Sequence, residues 1–150
     1  MRKMLLVVTS IFFLISTLQA EDGFYRKAKK HKEEFSEIAL YIISKGYHKN
    51  FSTAFLYIQV DTIEDKRIKK FCKKFDIHQL TIQGKYDYQG KSGKFVEDSV
   101  IIFERKYTPV IGPRHEIIID CSTEKKDYPD FEGYGQKLIR IEKGIYYFRH

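Results

Sequence analysis

HEIIIDC, residues 115–121, holds one of the chain's two cysteines and one of its five histidines, the residue types that a nucleophile and its base require. The alternation of the segment is that of a strand, on which His115 and Cys121 share a face but stand roughly 20 Å apart. They cannot act as a catalytic pair. Cys72 sits in the middle of a helical pattern among apolar neighbours, not at a helix N-terminus where a thiolate is stabilised. No catalytic residue is expected at either thiol. Cys72 lies on the apolar stripe of its helix and Cys121 follows Ile117 and Ile119 on one strand face, so both are expected to point into a common interior. In an exported chain that arrangement favours a Cys72–Cys121 disulfide, whose loop of about 49 residues would remove roughly 4 kcal/mol of entropy from the unfolded chain.

Other chemistry is argued against by spacing. His31, His48, His78, His115 and His150 are scattered, and HKEEF at 31–35 is not the paired-histidine motif of a zinc hydrolase. GKYDYQGKSGK at 84–94 places Gly84 six residues before Gly90, where a phosphate-binding loop needs five, and a strand pattern follows where a helix should. It reads as a basic hairpin loop. Asp61, Asp87, Glu97, Asp98, Glu104, Glu116 and Asp120 show no pairing that would mark acid–base work, and each is expected to be solvated. No metal or cofactor is expected.

Two surfaces remain as binding candidates. In EDKRIKKFCKKFD, residues 64–76, Ile68, Phe71, Cys72 and Phe75 form an apolar stripe while Lys66, Lys69, Lys70 and Lys73 form a basic one opposite, reinforced by Arg67 and Lys74. Arg26, Lys27, Lys29 and Lys30 could extend it. In YPDFEGYG, 128–135, Tyr128, Phe131 and Tyr134 recur three apart in a glycine-containing loop, where aromatic residues commonly anchor interfaces or fold back as a lid.

Residues 1–20 give the compartment. Arg2 and Lys3 precede a charge-free apolar run from Leu5 to Leu18, closed by the small residue Ala20, which is the layout of a cleaved secretory leader. The run is shorter than the roughly 17–25 residues of a spanning helix and no second one follows, so an integral membrane protein is not expected. Residues 21–150 then form one domain, with a periplasmic or secreted location. Two of the 27 basic residues fall in the leader, and the remaining 25 against 20 acidic residues leave a formal charge of +5, suited to an acidic partner or to plain solubility.

The elements that carry these residues follow from periodicity. Phe24, Ala28, His31, Phe35, Ile38 and Ile42 recur at spacings of three and four, which predicts a helix over 24–45 with a stop at Lys45-Gly46 and a packing role for His31. Residues 53–60 read as a strand, 64–76 as the amphipathic helix, and 78–83, 95–106, 114–121, 137–142 and 145–149 as further strands joined by short turns. Short connections favour antiparallel neighbours, so the expected fold class is α+β, with two helices on one face of a curved, mainly antiparallel sheet. In element order this resembles the cystatin-like and nuclear-transport-factor-like cones.

The function these observations favour is that of an exported non-enzymatic binding protein, of the inhibitor or immunity type of a bacterial envelope. Its partner is expected to be a protein, acidic in character, with a polyanion or an anionic lipid as further possibilities. The alternative is a small pocket enzyme or ligand carrier using the hollow of the sheet, with His78, Tyr86, His115 and Asp120 facing inward.

Overall fold

The computed structural model describes residues 23–47, 55–85, 96–105, 113–125 and 127–150. Residues 1–20, His48, Tyr86 and most of residues 84–94 lie outside the described residues. The first helical stretch comes as two segments: α1 over residues 23–30 and α2, Lys32–Ser44. The break falls at His31, where φ is −116°. Hydrogen bonds still cross it, from His31 N to Lys27 O at 3.0 Å and from Phe35 N to His31 O at 3.1 Å. Gly46 ends the stretch with φ 71° and an N–H donating to Ile43 O, as the Lys-Gly stop predicts.

β1 (Phe55–Gln59) leads through a single 3₁₀ turn at Val60–Thr62 into α3, Lys66–Phe75. Asp65 caps α3 by accepting from Arg67 N at 2.8 Å and Ile68 N at 3.1 Å. Asp76, with φ 59°, closes it in the left-handed conformation. Six more strands follow: β2 (Ile77–Lys85), β3 (Val96–Arg105), β4 (His115–Asp120), β5 (Phe131–Gly133), β6 (Gln136–Glu142) and β7 (Ile145–Arg149). They join β1 in one antiparallel sheet of order β1-β2-β3-β4-β7-β6-β5. The α+β class is as expected. Residues 131–133, expected as loop, instead form the short edge strand β5.

Register sorts the side chains into two faces. On the first, Leu80, Phe103, Ile117, Tyr147 and Ile139 line up across β2, β3, β4, β7 and β6, beside a second row of Ile82, Ile101, Ile119 and Ile145. The three helices cover this face. Phe35 of α2 meets Phe71 and Phe75 of α3 and Phe103 of β3 with ring centroids 4.7–5.4 Å apart, and Tyr25 of α1 meets Tyr147 at 5.6 Å. Dense aromatic and isoleucine packing supplies the main stabilisation of the domain. The other face carries no helix among the described residues. No described helix is long and apolar enough to cross a membrane.

Candidate functional site: a trough on the helix-free sheet face

The connection from β4 to β5 must pass β7 and β6 to reach the sheet edge, and it does so across the helix-free face. Tyr128 lies against Tyr146 with ring centroids 5.6 Å apart and donates its backbone N–H to Tyr146 Oη at 3.0 Å. Arg140 of β6 fastens the crossing segment. Its backbone N–H donates to Asp130 Oδ1 at 2.7 Å, and its guanidinium grips both oxygens of Asp127 at 2.7 and 2.8 Å. At the start of the crossing, Asp120 Oδ1 accepts from the backbone N–H of Ser122 at 2.9 Å and from its hydroxyl at 2.5 Å, a local turn that directs the chain away from β4.

Between the crossing segment and the sheet lies a trough of about 670 Å³. Val100, Ile118, Leu138 and Tyr146 form its floor, Gln83 and Gly84 one end, and Asp120, Ser122, Thr123, Glu124 and Tyr128 its rim. An apolar floor with a few polar groups at the edge is the usual composition of a site for a small molecule or an inserted side chain. The hollow expected between helices and sheet is instead filled. His115 is buried there, 2.6 Å from Tyr147 Oη and edge-on to Phe24. Burial, with the cations of Arg105 and Arg149 nearby, lowers its pKa to about 4. His115 and Asp120, five residues apart, face opposite sides of β4 and cannot share a site.

Of the aromatic candidates, Tyr128 lines the trough and Phe131 extends the same face, since it pairs with Leu138 in register. Tyr134 is fully exposed at the tip of the β5–β6 hairpin. It holds φ 52° and is followed by Gly135 at φ 77°, a two-residue turn that favours Asn-Gly. A tyrosine there carries a conformational cost of about 1–2 kcal/mol. Tyr134 is exposed and does not fold inward as a lid.

Beside the trough lies a polar cluster that spacing did not reveal. Glu104 and Glu116 are cross-strand partners on β3 and β4, and both are buried rather than solvated. Arg114 pairs with both: its Nη2 donates to Glu104 Oε2, and its Nε stands 2.9 Å from Glu116 Oε1 without hydrogen-bond alignment. Gln79 Nε2 donates to Glu104 Oε2 at 3.0 Å, His78 Nε2 lies 3.6 Å from Glu104 Oε1 and His150 Nε2 3.4 Å from Glu116 Oε1. Among the described residues, Asp120 is a third carboxylate that is buried rather than solvated. The trough is lined by the carboxylates Asp120 and Glu124 and by no histidine, and the histidines of the cluster do not line it. Among the described residues, no group of three His, Cys, Asp or Glu side chains is placed to hold a metal ion.

The lysine face of α3 is exposed as its pattern predicts, with Lys66, Lys69, Lys70 and Lys73 all turned to solvent. It belongs to a different surface from the aromatic residues. α3 rests on β2 in the helix layer, whereas Tyr128, Phe131 and Tyr134 stand at the opposite edge, on or beside the other face. Six strand spacings, about 29 Å, separate the outermost strands, so the two candidates do not form one patch.

The expected disulfide is absent: Cys72 and Cys121 are both free thiols. Phe71, which precedes Cys72 on α3, packs on Phe103, whose partner on β4 is Ile117. Cys121 lies four residues further along, about 13 Å at strand rise, beyond the reach of a bridge. Both side chains do face the apolar interior, as expected, but at different ends of it. Burial pushes both thiols up to about 12, Asp120 adding to the effect at Cys121. Comparisons with known protein families, with curated proteins and with solved structures find no match for this chain.

Proposed function

We propose that this chain is an exported, non-enzymatic binding protein of a bacterial envelope, of the inhibitor or immunity type, which takes its partner on the helix-free sheet face. The trough carries this reading: its floor of Val100, Ile118, Leu138 and Tyr146 can receive an apolar or aromatic side chain, while the rim supplies hydrogen-bonding groups. Tyr128 and Phe131 continue the surface toward Tyr134, and large aromatics around a concave anchor site are the usual composition of an energetic centre in an interface. Export is supported by the leader-like composition of residues 1–20. The state of the two thiols, Cys72 buried and Cys121 partly buried against the core, suits a chain that crosses into an oxidising space without cross-linking.

A second reading, a carrier of a small ligand, is favoured by the trough volume, which lies within the range of small-molecule sites. Both readings use one surface and one test. Fragments with an aromatic ring and a hydrogen-bonding tail are titrated into the protein while amide and methyl shifts are followed by NMR. Shifts at Val100, Ile118 and Leu138 that vanish in Val100→Trp, which fills the trough, support the site. Fragments that bind elsewhere, or that bind the Val100→Trp variant equally well, overturn it. A partner protein competing with the fragments decides for the interface over the carrier.

A further inference from the structure

We propose that α3 docks the domain on an anionic lipid surface, so that the helix layer faces the membrane and the sheet face points away from it. Of the ten residues in α3, the four buried ones are Ile68, Phe71, Cys72 and Phe75, and every other position is Lys or Arg. The helix therefore presents only cations to its surroundings. The cations fall into two groups. Lys74 is held by Glu34 of α2 at 2.7 Å, and Arg67 lies over the ring of Tyr41 at 4.4 Å. Among the described residues, no carboxylate pairs with Lys66, Lys69, Lys70 or Lys73. At spacings of three, four and seven residues these four form one stripe along a helix about 15 Å long.

The chemistry of the stripe selects its partner. A protein interface draws its energy from buried aromatic, aliphatic or arginine anchors, and lysine is depleted there. α3 exposes no apolar side chain that could serve as an anchor. Nucleic acid favours arginine forks and aromatic rings on which bases stack. The single arginine of α3 already covers Tyr41, and the stripe contains no ring. Lysine ammonium groups are mobile, strongly hydrated point charges. They suit a fluid array of headgroup charges that requires no fixed geometry, each contributing about 1 kcal/mol, or about fivefold in partitioning. Basic residues of α1, including Lys27 and Lys30, are exposed in the same layer. An exported chain is also released at a membrane, where such a surface is at hand.

The experiment measures partitioning of the protein, as processed by its host, onto phosphatidylcholine vesicles with and without about one third phosphatidylglycerol. The expected result is binding to the anionic vesicles alone, falling steeply between 50 and 300 mM salt. Lys69→Glu/Lys70→Glu/Lys73→Glu, at three exposed positions, lowers partitioning by about a hundredfold or more, with the circular dichroism melt unchanged. Lys137→Glu, on β6 and four strand spacings from the β2 that lies beneath α3, lowers it by no more than about fivefold. Equal binding to neutral vesicles, or retention by the triple variant, overturns the proposal. So does preference for a DNA duplex or an acidic protein over the vesicles. Fragment binding in the trough is indifferent to all three lysines, which keeps this result separate from that of the sheet face.

Discussion

Glu104 and Glu116 stand directly opposite each other on β3 and β4, 3% and 5% exposed, with the guanidinium of Arg114 between them. Two carboxylates side by side on a sheet repel unless a cation divides them. Arg114 therefore holds the middle of the helix-free face together. Arg114→Met is expected to lower stability by about 3 kcal/mol, because it leaves two buried charges uncompensated. Arg114→Met/Glu104→Gln/Glu116→Gln, which removes the charges together, recovers at least half of the loss. Urea unfolding of the three proteins checks this, and an undiminished midpoint for Arg114→Met would refute it.

His115 makes folding pH-dependent. Its pKa is 6.5 in an unfolded chain and is lowered to about 4 by burial and by Arg105 and Arg149. The unfolded state binds the proton first, so the contribution of the neutral ring is complete above pH 6.5 and is lost as pH falls from 6.5 to about 4. The loss reaches about 3 kcal/mol. His115→Phe, whatever its stability at neutral pH, should lack this part of the slope. Identical slopes for the two proteins between pH 6.5 and 4 would remove the assignment.

The thiols should be silent until the fold opens. Without reductant, iodoacetamide at pH 8 leaves the native protein unmodified over the time in which small-molecule thiols react fully, because both cysteines are packed against the core and both thiols are pushed up to about 12. In denaturant, still without reductant, two adducts appear. Intact mass measures both states, and a denatured, unreduced protein that takes up no adduct would restore the disulfide.

Tyr134→Asn tests whether the hairpin tip is kept for stability or for contact. Asparagine tolerates the left-handed φ that Tyr134 adopts, so the variant should be more stable by about 0.5–1 kcal/mol. If the tip belongs to the binding surface, affinity for a partner that occupies the trough falls in the same variant. A less stable variant would show that the tyrosine ring packs on something in solution.

Much of the fold was legible because its signals are local. The apolar stripe of α3 and the alternation of β2, β3, β4, β6 and β7 are set by 3.6- and 2-residue periods, which read the same in a sequence as in space. Residues 131–133 escaped because three residues between turn formers carry no period, and only pairing with β6 makes them a strand. The trough escaped for a related reason. Its wall is the β4–β5 crossing, and no local pattern shows which strands a connection must pass.

The sequence by itself determined which side of each element is greasy and which is charged: the cations of α3, the isoleucines of β4, the two inward-facing cysteines. Those depend on residue order along one strand or helix turn. Only the tertiary structure decided what meets what. The strand order β3-β4-β7-β6-β5 placed Glu104 beside Glu116, set Cys72 and Cys121 at different ends of the core and carried residues 121–125 and 127–130 across the open face. Such neighbours are joined through the sheet rather than along the chain, so no spacing in the sequence encodes them.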